Sequence, residues 1–196
     1  MSEIGEGVFV STGIASNSEC TKEGHPVDVA TGKVFTSAKD ITFLGPLSVD
    51  LIRTYGSNGV DRSGMFGPGW FSLLDVKVEI FADEIIYQDA EGRLITFPAV
   101  GSGDSFFDRS EKLTLFRDEQ SIAITTRECL SYQFSLNPRG SEGLLATISD
   151  SNYRTIYFSY EAGRLIRIMD AGGKAYRLAY DSHNRLIDIY CYVEAI

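Results

Sequence analysis

The sequence predicts an all-β fold, an antiparallel hairpin meander leading into a repeated sheet, and three observations carry the prediction. Short runs of β-branched and aromatic residues are separated by turn residues at spacings of roughly 8 to 12 positions, the pattern of consecutive hairpins. Aromatic residues make up 12% of the 196 residues, with 10 tyrosines and 12 phenylalanines, side chains that suit a pleated, half-buried surface. No segment keeps a helical period for three turns, whereas the C-terminal part repeats itself with the length of one hairpin.

In chain order, residues 1–25 are small, polar and Gly/Ser-rich and read as a poorly ordered lead-in, with order beginning near Pro26. Strand-type stretches follow: KVFTSAKDITF, LSVDLIRTY, LLDVKVEIF, EIIYQDAEGRLITF, KLTLF, SIAITT and LSYQFSL. The clearest hairpin is 81–97, with Asp89-Ala90-Glu91-Gly92 as its turn. Residues 98–110, PAVGSGDSFFDRS, read as a longer loop. GMFGPGW (64–70) lacks the Lys-Ser/Thr of a phosphate loop; Gly67, Pro68 and Gly69 read instead as a tight turn that lowers Trp70 onto the apolar face as a packing anchor.

The repeat occupies 141–196. GRLIRI (163–168) returns as NRLIDI (184–189), and Leu145, Ile148, Asp150 and Tyr160 fall on Leu165, Ile168, Asp170 and Tyr180 at an offset of 20. Alternation along a strand puts Ala146, Ile148, Ile156, Phe158 and Tyr160 on one face, and Ile166, Ile168, Tyr176, Leu178 and Tyr180 on the same face of the next unit. The tyrosines therefore read as core rungs rather than as a stacking platform for sugars.

Charge and cysteine content narrow the function. A formal charge of -9 and a pI near 4.7 oppose binding to nucleic acid or to an anionic membrane. Cys20, Cys129 and Cys191 are too scattered for a disulfide framework or a metal knuckle. No run approaches the ~20 apolar residues of a membrane span, and the start lacks the pattern of a secretory signal. His25 and His183 have no partners at metal-ligand spacing, and no nucleophile elbow stands near either. No cofactor and no catalytic residue is expected.

YEAGRLIRIMDAGGKAYRLAYDSHNRLIDI (160–189) resembles the YD repeats of Rhs (rearrangement hot spot) proteins, through Tyr160, Gly163, Arg164 and Leu165, then Tyr180, Asp181, Arg185 and Leu186. Glu161 replaces the usual Asp in the first copy, Asn184 replaces Gly in the second, and two and a fraction repeats are present. HPVDVATGKVF (25–35), LGPLSVDLIRTYGS (44–57), FGPGWFSLLDVKVEI (66–80) and YQDAEGRLITFP (87–98) are similar, in that order, to the domain preceding the repeats in bacterial Rhs toxins.

The resemblance implies a division into the lead-in 1–25, an Rhs N-terminal capping domain over 26–140 and YD repeats over 141–196. It implies a non-enzymatic part of a β shell that encloses a C-terminal toxin, made in the bacterial cytoplasm and exported by type VI secretion in interbacterial competition. The implied partners are the remaining shell repeats, the enclosed toxin, and a secretion-tip protein or chaperone. The self-cleaving Asp-Pro motif and the toxin of such proteins are not in the sequence, so the chain reads as a short form or as part of a longer protein. His25-Pro26 is a candidate processing site, since some Rhs effectors are severed ahead of a Pro-Val like Pro26-Val27. The alternative is a stand-alone Rhs-like module that binds a protein partner or a saccharide.

Overall fold

The computed structural model describes residues 34–192, so the lead-in, Pro26 and the His25-Pro26 bond lie outside the described residues. The described chain is built from antiparallel strands with only short 3-10 turns between them. A small sheet comprises β1 (Phe35–Phe43), β2 (Val49–Gly56) and β5 (Trp70–Ser72), with the short pair β3 (Ser63–Gly64) and β4 (Gly67–Pro68) beside it. The main sheet holds β6 (Lys77–Ile80), β7 (Glu84–Gln88), β8 (Leu94–Pro98), β9 (Ser105–Asp108), β10 (Leu113–Arg117), β11 (Ser121–Thr125) and β12 (Ser131–Leu136). It continues with β13 (Glu142–Ser149), β14 (Thr155–Glu161), β15 (Arg164–Met169), β16 (Ala175–Tyr180) and β17 (Leu186–Tyr192).

From β9 to β17 each strand pairs with its successor, the expected meander. The sheet also forks. On one edge β13 pairs with β6 through Glu142–Leu144 and with β14 through Thr147–Ser149. Gly143 permits the fork, because a Cβ there would stand 2.7 Å from the Val78 side chain. The path β8-β7-β6-β13-β12-β11-β10-β9 bends back on itself: Phe97 of β8 and Phe106 of β9 meet edge to face at 6.3 Å. Tyr87 reaches Phe134 across the interior at 6.0 Å, and Val78, Ile85, Leu115, Ile122 and Ile124 are fully buried inside this nearly closed ring.

Two expectations need correction. Residues 98–110 are not only loop, because Ser105–Asp108 pairs with β10 and Phe106 packs against Phe97. Strict alternation in the repeats also fails at one place per unit. The register slips so that Ala146, Ile166 and Ile187 are extra residues in β13, β15 and β17. Each bulge rotates the strand locally. Leu145 and Ile148, Leu165 and Ile168, and Leu186 and Ile189 therefore face the core together, whereas Ala146 and Ile166 are only half-buried.

The turns of the main sheet reuse one device. Asp89, Asp150, Asp170 and Asp181 each accept, on one carboxylate oxygen, the N–H groups of the residues two and four positions later. The residue three positions on is left-handed in every case: Gly92, Tyr153, Gly173 and Asn184, with φ of 76, 61, 85 and 61°. Arg93, Arg154 and Arg185 return to the second oxygen of their aspartates, whereas Asp170 takes the Tyr176 hydroxyl there at 3.2 Å. The second Tyr-acid step, Tyr180 to Asn184, is one residue longer than the first, Tyr160 to Gly163, and the extra residue makes it one of these aspartate turns. The first, through Ala162 and Gly163, is a tight two-residue turn with both φ positive, at 50 and 79°.

Candidate functional site

A bulge at each repeat leucine makes neighbouring strands splay, and the N-terminal part of the chain reaches into the openings. β14 pairs with β13 only from Thr147 to Ser149, and β16 pairs with β15 only from Arg167 to Met169. The first opening holds β6. At β17 the Leu186 N–H donates to the carbonyl of Met65 at 2.7 Å, so the 63–67 segment docks at the start of that strand. Between them, the Tyr180 hydroxyl donates to the Leu165 carbonyl at 2.7 Å and lies 3.8 Å from the Met65 sulfur.

The small sheet supplies the rest of the seam. Phe43, fully buried, meets Tyr176 edge to face at 5.1 Å. Gly45 lies so close to the Asp170 turn that a Cβ would come within 3.0 Å of the Gly172 nitrogen. Burial of Phe43, Leu47 and Leu51 beneath the repeats makes one core of both parts.

Asp75 fixes the segment that meets the repeats. It closes a 3-10 turn over Leu73–Asp75 as half of a capping box with Ser72, accepting the Ser72 N–H and hydroxyl, each at 2.9 Å, on one oxygen. Its other oxygen accepts the Met65 N–H at 2.6 Å. Burial pushes its carboxyl up to about 6, against the pull of these donors toward the charged form. Burial also raises Tyr160, and it pushes Tyr180 up to about 12 although the Arg164 guanidinium over the Tyr180 ring opposes the shift. Two clefts of about 370 and 330 Å³ flank Asp75, one bounded by Tyr160 and Gln88, the other by Tyr180 and Arg185, and they share Ser63, Met65 and Gly163. With three donors on its carboxylate, Asp75 is committed to holding backbone, and the arrangement works as a joint.

Arg62 anchors the same region to the ring, donating to the Gly92 carbonyl at 2.7 Å while stacking on Phe71 at 4.9 Å. Among the described residues no group of three His, Cys, Asp or Glu stands close enough to hold a metal ion, and no helix is long and apolar enough to cross a membrane.

The sequence-read motif residues fall on this seam in part. Gly67 and Gly69 are buried and left-handed, with φ of 113 and 72°, and Pro68 is exposed. Trp70 is half-buried against Tyr55 at 5.3 Å and the Arg53 guanidinium at 5.4 Å; the residue carried fully inward is Phe71. Leu165 and Leu186 are core residues, Tyr160 and Tyr180 are half-buried at the joint rather than central rungs, and Gly163, Arg164 and Arg185 are exposed. Asp181 serves its turn, and His183 stands in that turn with its N–H on Asp181. Met65 and Asp75 were not singled out from the sequence. The signal for Asp75 was present as Ser72-Leu73-Leu74-Asp75, the spacing of a capping box, whereas Met65 acts through its backbone carbonyl, which leaves no mark in a sequence.

Comparison with known proteins places the chain beside bacterial toxins. Residues 24–97 match a family model described as a domain of unknown function (DUF6531), and residues 160–189 match the RHS repeat. The chain is 27% identical over 172 residues to double-stranded DNA deaminase toxin A of Burkholderia cenocepacia (strain H111), covering 85% of this chain and 11% of that protein. It is 26% identical over 183 residues to toxin protein Tse5 of Pseudomonas aeruginosa (strain PAO1), covering 80% of this chain and 14% of that protein. The chain thus spans a small part of the length of the curated relatives it matches.

Proposed function

Because this chain is a segment of the Rhs/YD-repeat polymorphic toxin family, we propose that it begins and caps a β-sheet shell enclosing a C-terminal toxin, and that it acts sterically, without chemistry of its own. The observation that carries the reading is the seam. The part of the chain before residue 141 fills the openings along one margin of the repeats, through β6 at β13 and Met65 at Leu186, while the sheet advances strand by strand through β17. Residues 26–140 are the capping domain in this proposal and residues 141–196 the first repeats. Its partners are further repeats of the shell and the toxin within, with a secretion-tip protein or chaperone at export. The toxin names of both relatives support the setting, and export by type VI secretion is part of the proposal.

The test is recovery of the tagged chain from its own bacterium without crosslinking, followed by mass spectrometry. A long YD-repeat polypeptide or its toxin, recovered as a continuation of this chain or in complex with it, is expected. Recovery of a folded, monomeric 196-residue chain alone would overturn the shell role.

A further inference from the structure

We propose that β17 receives, along the edge away from β16, a strand of the same repeat whose register is set by a tyrosine hydroxyl donating to the Leu186 carbonyl; this rests on the chain being the start of a repeat shell. Among the described residues β17 pairs only with β16. The Asp181 N–H donates to the Arg185 carbonyl at 2.9 Å, so the neighbouring pair, Tyr180 and Leu186, is a non-hydrogen-bonded one. The N–H and C=O of Leu186 therefore turn outward, away from β16. Met65 takes the N–H, which leaves the carbonyl for an incoming donor.

One repeat earlier the donor is visible. Leu165 stands at the same place in the same bulge, and its carbonyl receives the hydroxyl of Tyr180, from the strand that follows. Leu165 corresponds to Leu186, so the equivalent tyrosine belongs to the strand that follows β17. The remaining register copies β15 on β16, where Arg167, Ile168 and Met169 face Arg177, Tyr176 and Ala175. In β17 the corresponding residues are Asp188, Ile189 and Tyr190. An arginine at the Arg177 position would then lie opposite Asp188, a charge match in place of the Arg167–Arg177 pair.

The test adds a peptide of residues 172–181, GGKAYRLAYD, to the 196-residue chain and follows amide exchange of β17 together with affinity. Slowed exchange over 188–192 is expected, with binding weakened roughly five-fold in a Tyr180→Phe peptide, the loss of one hydrogen bond, and weakened again in an Arg177→Glu peptide. Equal binding of the Tyr and Phe peptides would overturn the tyrosine register while leaving the shell reading in place. Failure of every peptide to protect β17 would overturn the receiving edge itself, whatever companions the tagged chain brings from the bacterium.

Discussion

The carbonyl of Met65 accepts the N–H of Leu186 at 2.7 Å, joining the segment between the two short strands β3 and β4 to the last described strand of the repeats. A main-chain bond of this kind transmits position rather than side-chain identity. It therefore depends on what holds Met65, chiefly the Asp75 carboxylate at 2.6 Å.

Asp75 should give the protein a distinctive pH response. Its carboxyl, at about 6 when folded against 3.8 ordinarily, binds its proton more tightly in the folded chain. The associated stabilisation is complete below the ordinary value and is lost as the pH rises through about 6, a difference on the order of 3 kcal/mol. Urea unfolding at pH 4, 5, 6 and 7.5 is expected to show that loss in the parent relative to Asp75→Asn. Parallel curves would refute it.

Asp150 and Asp181 act in the opposite sense. Hydrogen bonds hold Asp150 and Asp181 below the ordinary carboxylate range, so their contribution is present above that range and fades as the pH falls through their lowered values. Asp170 is 2% exposed and also accepts the Tyr176 hydroxyl. Asp170→Ala is expected to cost about 2 kcal/mol and to lower Tm more than Asp150→Ala. The reverse order in thermal melts would count against the buried network.

Removing the Tyr180 hydroxyl leaves the Leu165 carbonyl without that donor. Tyr180→Phe should destabilise by about 1 kcal/mol, read as a shift in the urea midpoint at unchanged slope. A neutral result would mean that water replaces the bond.

Two glycines of similar φ separate strain from crowding. Gly92 and Gly173 have φ of 76 and 85°, but a Cβ at Gly92 would lie 2.4 Å from the Phe71 ring, whereas nothing stands within 4 Å at Gly173. Gly173→Ala should cost about 1 kcal/mol and Gly92→Ala about 2 kcal/mol more, by equilibrium unfolding. Equal losses would show that Phe71 yields without cost.

At the seam, Phe43→Ala empties a fully buried position beside Tyr176. A loss of about 3 to 5 kcal/mol is expected. Increased amide exchange in β16 should accompany it, because the small sheet would no longer press on that strand.

Legibility followed the distance over which each feature is determined. The strands and the 81–97 hairpin could be read because β-branched and aromatic runs alternate with turn residues, signals confined to a few positions. The bulges escaped a strict count of two, although the recurring spacing of Leu145 to Ile148, Leu165 to Ile168 and Leu186 to Ile189 contains them. The fork at β13 and the Met65–Leu186 bond could not be read, because both join backbone groups far apart in sequence. Trp70 misled for a related reason: its size suggests an interior place, yet Arg53 and Tyr55 offered a half-open one.

The fork has a consequence for the order in which the molecule can be made. β6, β7 and β8 can pair as they leave the ribosome, but the outer margin of β6 has no mate until residues 142–144 emerge. Contacts so distant along the chain form slowly, and until then the early strands carry a bare margin exposed to wrong partners. Arrival of β13 ends that exposure, and the same strand offers Thr147–Ser149 to β14. Every later hairpin can then grow from a strand already fixed, which places the slow pairing at the first strand of the repeated region.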